Sequence, residues 1–210
     1  MNKYFVNDIG IHGESERFIK EVIIDNEYGY LFDYDTVLDC GANIGTFSIW
    51  IYPKANRIFA LEPNPKAIEH LRNTIKDNEL IRITPLEIAI TGSDGERMLK
   101  DTDDEHHQYG SGLINEKEGI KVKGVAIDTF MGQNNIEYID LLKVDIEGCE
   151  RELFSSPGFQ RVANKIGTII GEYHGSEVKT SIVDNLRGLG FSFTDVTNGN
   201  QSGRFISRKL

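Results

Sequence analysis

Cysteine is scarce in this chain. Only Cys40 and Cys149 occur in 210 residues, and neither has a histidine or a CxxC partner beside it. A disulfide framework is therefore excluded, a reducing cytosol is expected, and both thiols read as small buried fillers. No run of about 18 apolar residues exists, which excludes a transmembrane helix. The opening MNKYFVNDIGIHGESER lacks the apolar stretch of a secretory signal, which again points to the cytoplasm. Runs of lysine or arginine are missing too, and the formal net charge is -10. That field repels phosphate backbones, so neither a nucleic-acid nor a membrane partner is expected. Repeats and low-complexity segments are also absent. What remains fits one globular domain, since 39% of the residues are hydrophobic and can fill a sizeable core.

From residue 36 onward, strand and helix patterns alternate, which predicts an α/β fold with a mostly parallel sheet. Residues 36–40 (TVLDC) form the first core strand, and 44–52 a helix stopped by Pro53. Residues 57–61 form the second strand. Asn64 and Pro65 then cap and start a helix whose buried stripe is Ile68, Leu71 and Ile75. The third strand lies within 81–90, where Pro85 suits only a short or edge position. Residues 101–119 (DTDDEHHQYGSGLINEKEG) are polar and glycine-bearing, and read as a surface loop, with His106 and His107 a solvated pair. Further strands fall at 121–127, 139–146 and 166–173. A helix follows at Glu150, Leu153 and Phe154, and a last one at Val178, Ile182, Leu186 and Leu189, capped by Gly190. Residues 191–196 and 204–207 form a terminal hairpin. Residues 15–24 suggest a helix within a covering segment, 1–34, of a domain spanning 35–210.

Ligands of open parallel sheets bind at the carboxyl ends of the strands. Asp39, Glu62, Ile90, Asp145 and the pair Tyr173-His174 each end or follow a strand, so they are expected on one rim. In VLDCGANIGTFS, Gly41 and Gly45 permit a sharp turn and a close ligand approach. Exposed N–H groups at the helix start would suit a carboxylate or phosphate. Glu62 ends the second strand 21 residues after Gly41, where an acidic side chain accepts bonds from both ribose hydroxyls. Loop and glutamate together point to an adenosine-type ligand, without separating NAD from S-adenosylmethionine. Ala42-Asn43 stand where GxGxxG has the central glycine that admits a pyrophosphate, which favours a ligand lacking one.

VLDCGANIGTFS, ALEPNP, AITGSDG and IDLLKVDIEGCERELF, in that order, closely resemble the FkbM family of S-adenosylmethionine-dependent methyltransferases. The likeness covers about residues 35–175 and is most specific at Lys143-Val144-Asp145-Ile146-Glu147-Gly148. It implies the class I methyltransferase fold, a Rossmann-like three-layer sandwich. Its seven-stranded, mostly parallel sheet has order 3-2-1-4-5-7-6 with the terminal strand antiparallel. It also implies S-adenosyl-L-methionine as cofactor, with Asp39 and Gly41 at the methionine end, Asn43 and Gly45 shaping the loop, and Glu62 on the ribose. Glu87 to Ile90, including Ala89, would lie beside adenine, although Glu87 itself departs from the family's small or amide residue. Asp145 would sit near the methyl group.

Methyl transfer to a hydroxyl needs alignment of two atoms and removal of a proton. Asp145 and His174 are the catalytic candidates, either of them the base. Glu147 is expected to cap the helix that follows, and for Lys143 an ion pair and a substrate contact remain open. Asp145, Glu147, Glu172 and His174 offer oxygen and nitrogen donors to an ion, but their spacing is not a tight ligand pattern, so no metal is expected. The leading reading is O-methylation of a small molecule or a glycan, with acceptor selectivity in the 101–119 loop. An RNA or protein methyltransferase, an interaction protein that binds cofactor without transfer, and an NAD-dependent oxidoreductase are the competing readings.

Overall fold

The computed structural model describes residues 4–7, 9–12, 33–100, 112–114, 119–197 and 202–210. The expected helix at 15–24, the histidine pair and most of the 101–119 loop lie outside them. The chain opens with two short antiparallel strands, β1 (Tyr4–Val6) and β2 (Ile9–Ile11). Strand β3 (Tyr34–Cys40) leads through the glycine loop into α1 (Thr46–Ile51), which ends in a 3-10 turn holding Pro53. Strand β4 (Ala55–Leu61) and helix α2 (Pro65–Asp77) follow. Asn64 caps α2 as its sequence predicts: its side chain accepts from the N–H of Lys66 and Ala67 at 2.9 and 3.3 Å.

The third strand expected within 81–90 is β5 (Ile83–Leu86), and a further short strand, β6 (Ala89–Thr91), starts in the same stretch, with β7 (Gly95–Leu99), β8 (Leu113–Ile114) and β9 (Ile120–Ala126) after them. Next come α3 (Ile127–Gln133), β10 (Ile139–Val144), α4 (Glu150–Ser155), α5 (Pro157–Val162), β11 (Ile166–His174) and α6 (Ser176–Gly188). Strands β12 (Thr194–Asp195) and β13 (Ser202–Arg208) close the chain. Gly190, at φ +79, follows the end of α6 in the left-handed conformation its capping role demands.

The main sheet runs β12-β13-β11-β10-β3-β4-β5. Its five central and edge strands from β11 to β5 pair in parallel, while β13 is antiparallel to both neighbours. Numbered by position in the fold, this is 3-2-1-4-5-7-6, the class I methyltransferase arrangement. Pro85 sits in β5, which is the sheet edge, where its missing N–H costs no ladder bond. A separate sheet, β6-β9-β7-β8, takes up Ala89 and Ile90.

Alternation along the strands sends side chains to two cores. Val37, Ile58, Leu141 and Ile170 pack with α1, α2 and the β1–β2 ribbon. Leu38, Phe59, Leu61 and Leu142 pack under α3 to α6. Three layers result, and no helix among the described residues is long and apolar enough to cross a membrane. Cys40 is buried in the second core and Cys149 half-buried at the start of α4. Burial pushes both thiols up, that of Cys149 to about 11, away from reactivity as expected.

Candidate active site

Four strands end side by side at one rim, and their last residues set its chemistry. Asp39, in β3, is fully buried. Its Oδ2 accepts from Ser48 Oγ of α1 at 2.6 Å, and its Oδ1 lies 3.3 Å from Lys143 Nζ of β10. The register pairs Lys143 with Asp39 directly, which settles the open reading of this lysine as a buried ion pair. Lys143 also donates to the Gly41 carbonyl at 2.7 Å and lies 3.8 Å from Asp145 Oδ2. Asp39 thus lies beneath the glycine loop, and Lys143 ties that loop to the end of β10.

The two glycines of the loop are required for protein packing as much as for turning. Gly41 has φ +78, and a Cβ there would stand 1.7 Å from the Asp145 carbonyl oxygen. At Gly45, φ +91, a Cβ would meet Leu71 of α2 at 2.2 Å. Asn43 between them is also left-handed, at φ +52. Nor are the loop's N–H groups exposed as the sequence suggests. Gly45 N–H donates to the Ala42 carbonyl, Ile44 N–H to Asn43 Oδ1 and Asn43 N–H to Glu62 Oε2.

Glu62 is the hub of this half. Its Oε1 accepts from Asn64 N–H and its Oε2 from Asn43 N–H, both at 2.8 Å, so one carboxylate joins the glycine loop to the start of α2. Burial pushes its carboxyl up to about 7, and the two backbone N–H groups only partly offset this. Each oxygen still has a lone pair beyond its backbone bond, which fits a ligand offering two hydroxyl donors. Ala89 and Ile90 are buried, on β6, and Ile90 belongs to the core under α3 to α6. Glu87 faces outward and pairs with Arg72 at 3.0 Å.

The other half is acidic. Asp145 follows β10 and is half-buried, its N–H donating to the Cys40 carbonyl. Burial first, against the pull of Lys143 and with the push of Glu172 and Glu147, raises its carboxyl to about 7. Glu172 and His174 are two apart on β11 and therefore share a face, whereas Tyr173 turns the other way. Tyr173 is buried and its hydroxyl donates to Asp195 at 2.9 Å, so it leaves the rim.

His174 Nδ1 stands 3.4 Å from Glu150 Oε1, and Nε2 3.8 Å from Glu147 Oε2. Glu150 beside the ring is the main cause that raises its pKa to about 9, against the opposing effect of burial. Glu147 does not cap α4 as expected, for among the described residues no side chain hydrogen-bonds at that helix start; instead Glu150, fully buried, braces the preceding turn, its Oε1 accepting from Ile146 N–H and Gly148 N–H at 3.2 Å. Asp145, Glu172 and His174 each offer a donor atom, all within 4.8 Å of one another. The donors meet although their spacing in the chain is not a tight ligand pattern, because adjacent strands bring Asp145 beside Glu172. Sequence reasoning missed Ser48, Glu150 and Arg204, whose Nε donates to Glu172 at 3.0 Å. Only the i, i+2 spacing of Glu172 and His174 carried a readable signal.

Known proteins agree with this architecture. The model of the methyltransferase FkbM domain matches residues 39–193. The hexuronic acid methyltransferase AglP of Haloferax volcanii is 24% identical over 172 residues, covering 82% of this chain and 69% of that protein. The methyltransferase sdnD of Sordaria araneosa is 25% identical over 219 residues, covering 86% and 83%. Among solved structures, a precorrin-6y C5,15-methyltransferase of Geobacter metallireducens superposes with a TM-score of 0.55 at 15% identity, covering 95% of this chain and 93% of that one. SMU.1697c of Streptococcus mutans, solved in complex with SAH, gives 0.54 at 12% identity, covering 94% and 100%. The glycine loop, the two-acceptor Glu62 and the strand order fit the cofactor as well as the fold: this chain belongs to the FkbM family of S-adenosyl-L-methionine-dependent methyltransferases.

Proposed function

We propose that the transfer goes to oxygen, on a hydroxyl of a small molecule or glycan, with Asp145 taking the proton. The observation that carries this is the placement of Asp145: a half-buried carboxylate beside the glycine loop, held near neutral affinity for a proton. When bound, S-adenosylmethionine supplies a methyl on a sulfonium, and the new C–O bond forms as the C–S bond breaks with its electron pair left on sulfur. Glu62 holds the ribose through its two remaining lone pairs. Gly41, Asn43 and Gly45 lie along the methionine end, with Asp39 supporting them from below. Ala89 and Ile90 give an apolar wall for adenine. Asp145 accepts the acceptor's proton, while His174, facing Glu150 and Glu147, lines the acceptor side rather than serving as the base.

A glycan or small acceptor is favoured by the net charge of -10, which opposes a nucleic-acid substrate, and by a relative named for a hexuronic acid. Gly112, within the polar 101–119 segment, sits where a Cβ would be 2.6 Å from the Glu147 carbonyl oxygen, which places that residue on the acceptor side. The free cysteines suit a reducing cytosol.

Calorimetric titration with S-adenosylhomocysteine, in the native chain and in Glu62→Ala, is the first test, followed by turnover on a hydroxylated panel including uronic acids. Micromolar binding, weakened at least about tenfold by the substitution, is expected, as is loss of turnover in Asp145→Asn with binding kept. Binding without turnover on any hydroxyl acceptor would favour the interaction-protein reading.

A further inference from the structure

We propose that Asp145, Glu172 and His174 form a binding site for a first-row divalent cation at the acceptor side of the rim. Their donor atoms lie within 4.8 Å of one another. Ligands about 2.1 Å from an ion stand roughly 3 to 4 Å apart, so side-chain rotations of about an ångström close this set around one ion. The main chain holds it ready. Val144 and Gly171 are register partners, so Asp145 and Glu172, the next residues of two adjacent parallel strands, fall beside each other. His174 follows on the same face of β11.

The surroundings are those of an outer ligand shell. A ligating histidine commonly has a carboxylate behind its other ring nitrogen. Glu150 Oε1 stands 3.4 Å from Nδ1, within a small ring rotation of that place, which leaves Nε2 for the ion. Glu150 is fully buried, and neither its Oε2 nor His174 Nδ1 makes a hydrogen bond among the described residues. Arg204 fixes Glu172 and Lys143 approaches Asp145. Among the described residues these two are the permanent cations in contact with the group, and Lys143 is shared with Asp39. Against them stand Asp145, Glu147, Glu150 and Glu172, a negative excess that a divalent ion would balance. Two carboxylates with one imidazole suit Mn²⁺ or Zn²⁺ better than Mg²⁺, which prefers oxygen alone.

The site stands on its own geometry; its part in transfer rests on the proposed O-methylation. There the ion would take the acceptor oxygen as a ligand and ease loss of its proton, one Asp145 oxygen on the ion and the other free to receive it.

Titration of the full chain with Mn²⁺, read from the free-ion signal in electron paramagnetic resonance, and with Zn²⁺ by calorimetry, tests this. Saturating S-adenosylhomocysteine is present in a parallel series, and its own affinity is measured on every sample. One ion per chain is expected, with affinity at least tenfold weaker in Glu172→Gln and His174→Ala and about 10- to 100-fold weaker in Glu150→Gln. S-adenosylhomocysteine affinity should stay within about threefold in all variants, which certifies their fold. Absence of binding below about 1 mM, or equal binding in native chain and variants, overturns the proposal. Ion binding without S-adenosylhomocysteine binding would instead sink the proposed function and leave the ion site standing.

Discussion

Where β3 and β4 end, each carboxylate faces fixed partners: the Ser48 hydroxyl donates to Asp39 Oδ2 with the Lys143 ammonium 3.3 Å from Oδ1, and the main-chain N–H of Asn43 and Asn64 donate to Glu62. Where β10 and β11 end, Asp145, Glu147, Glu150 and Glu172 gather around His174, so that negative charge outweighs positive. The first half is complete without a ligand and can bind with little reorganisation. The second half is electrostatically unfinished, as expected of a surface whose partner is a cation or an acceptor. One rim therefore combines a rigid half with a half whose charges are held for use.

The comparison breaks most visibly at Lys143. Lys143→Met would remove the cation beside the buried Asp39, leaving Ser48 as its partner among the described residues, and losing one partner of a buried pair costs about 3 kcal/mol or more. The urea midpoint should fall accordingly, at unchanged slope. A loss under about 1 kcal/mol would mean that the rigid half is less fixed than its distances suggest.

Glu62 gives the next effect, and its sign follows from burial. Its carboxyl is raised from an ordinary 4.5 to about 7 in the folded chain. Between those values the folded state holds a proton that the unfolded state has released. The stabilisation is full below about 4.5 and is lost as pH rises through about 7. Glutamine cannot ionise, so the stability of the native chain relative to Glu62→Gln should fall by on the order of 2 kcal/mol from pH 5 to pH 8. A difference independent of pH would show that the two backbone N–H bonds outweigh burial.

The rigid half was the more legible in sequence, because local signals write it: Asn64-Pro65 for the cap, positive-φ glycines for the loop, Pro85 for the edge strand. What stayed hidden depended on register and non-local pairing. Residues 81–90 read as holding the third strand, yet Glu87 and Ile88 divide them between β5, beside β4, and β6, beside β9. Asp145, Glu172 and His174 meet only because Val144 aligns with Gly171. Likewise, Gly41 and Gly45 announce a tight loop but not that a neighbouring carbonyl and Leu71 occupy their missing side chains. Such facts belong to the packed molecule.

The smallest effect is the most discriminating. Glu147 is half-exposed at φ +51 and contributes one more negative charge to the side already rich in them. Its ion pair with His174, at 3.8 Å, is long, and solvent screens it. Removing the charge should therefore relieve repulsion from Asp145 about as much as it forfeits attraction to His174. The melting temperature of Glu147→Gln is expected to stay within about 2 °C of the native value or to rise slightly. A rise that vanishes on adding Mn²⁺ would tie the repulsion to the proposed ion site. A fall of more than about 4 °C would mean that Glu147 stabilises the acceptor half, and that the two halves are built alike after all.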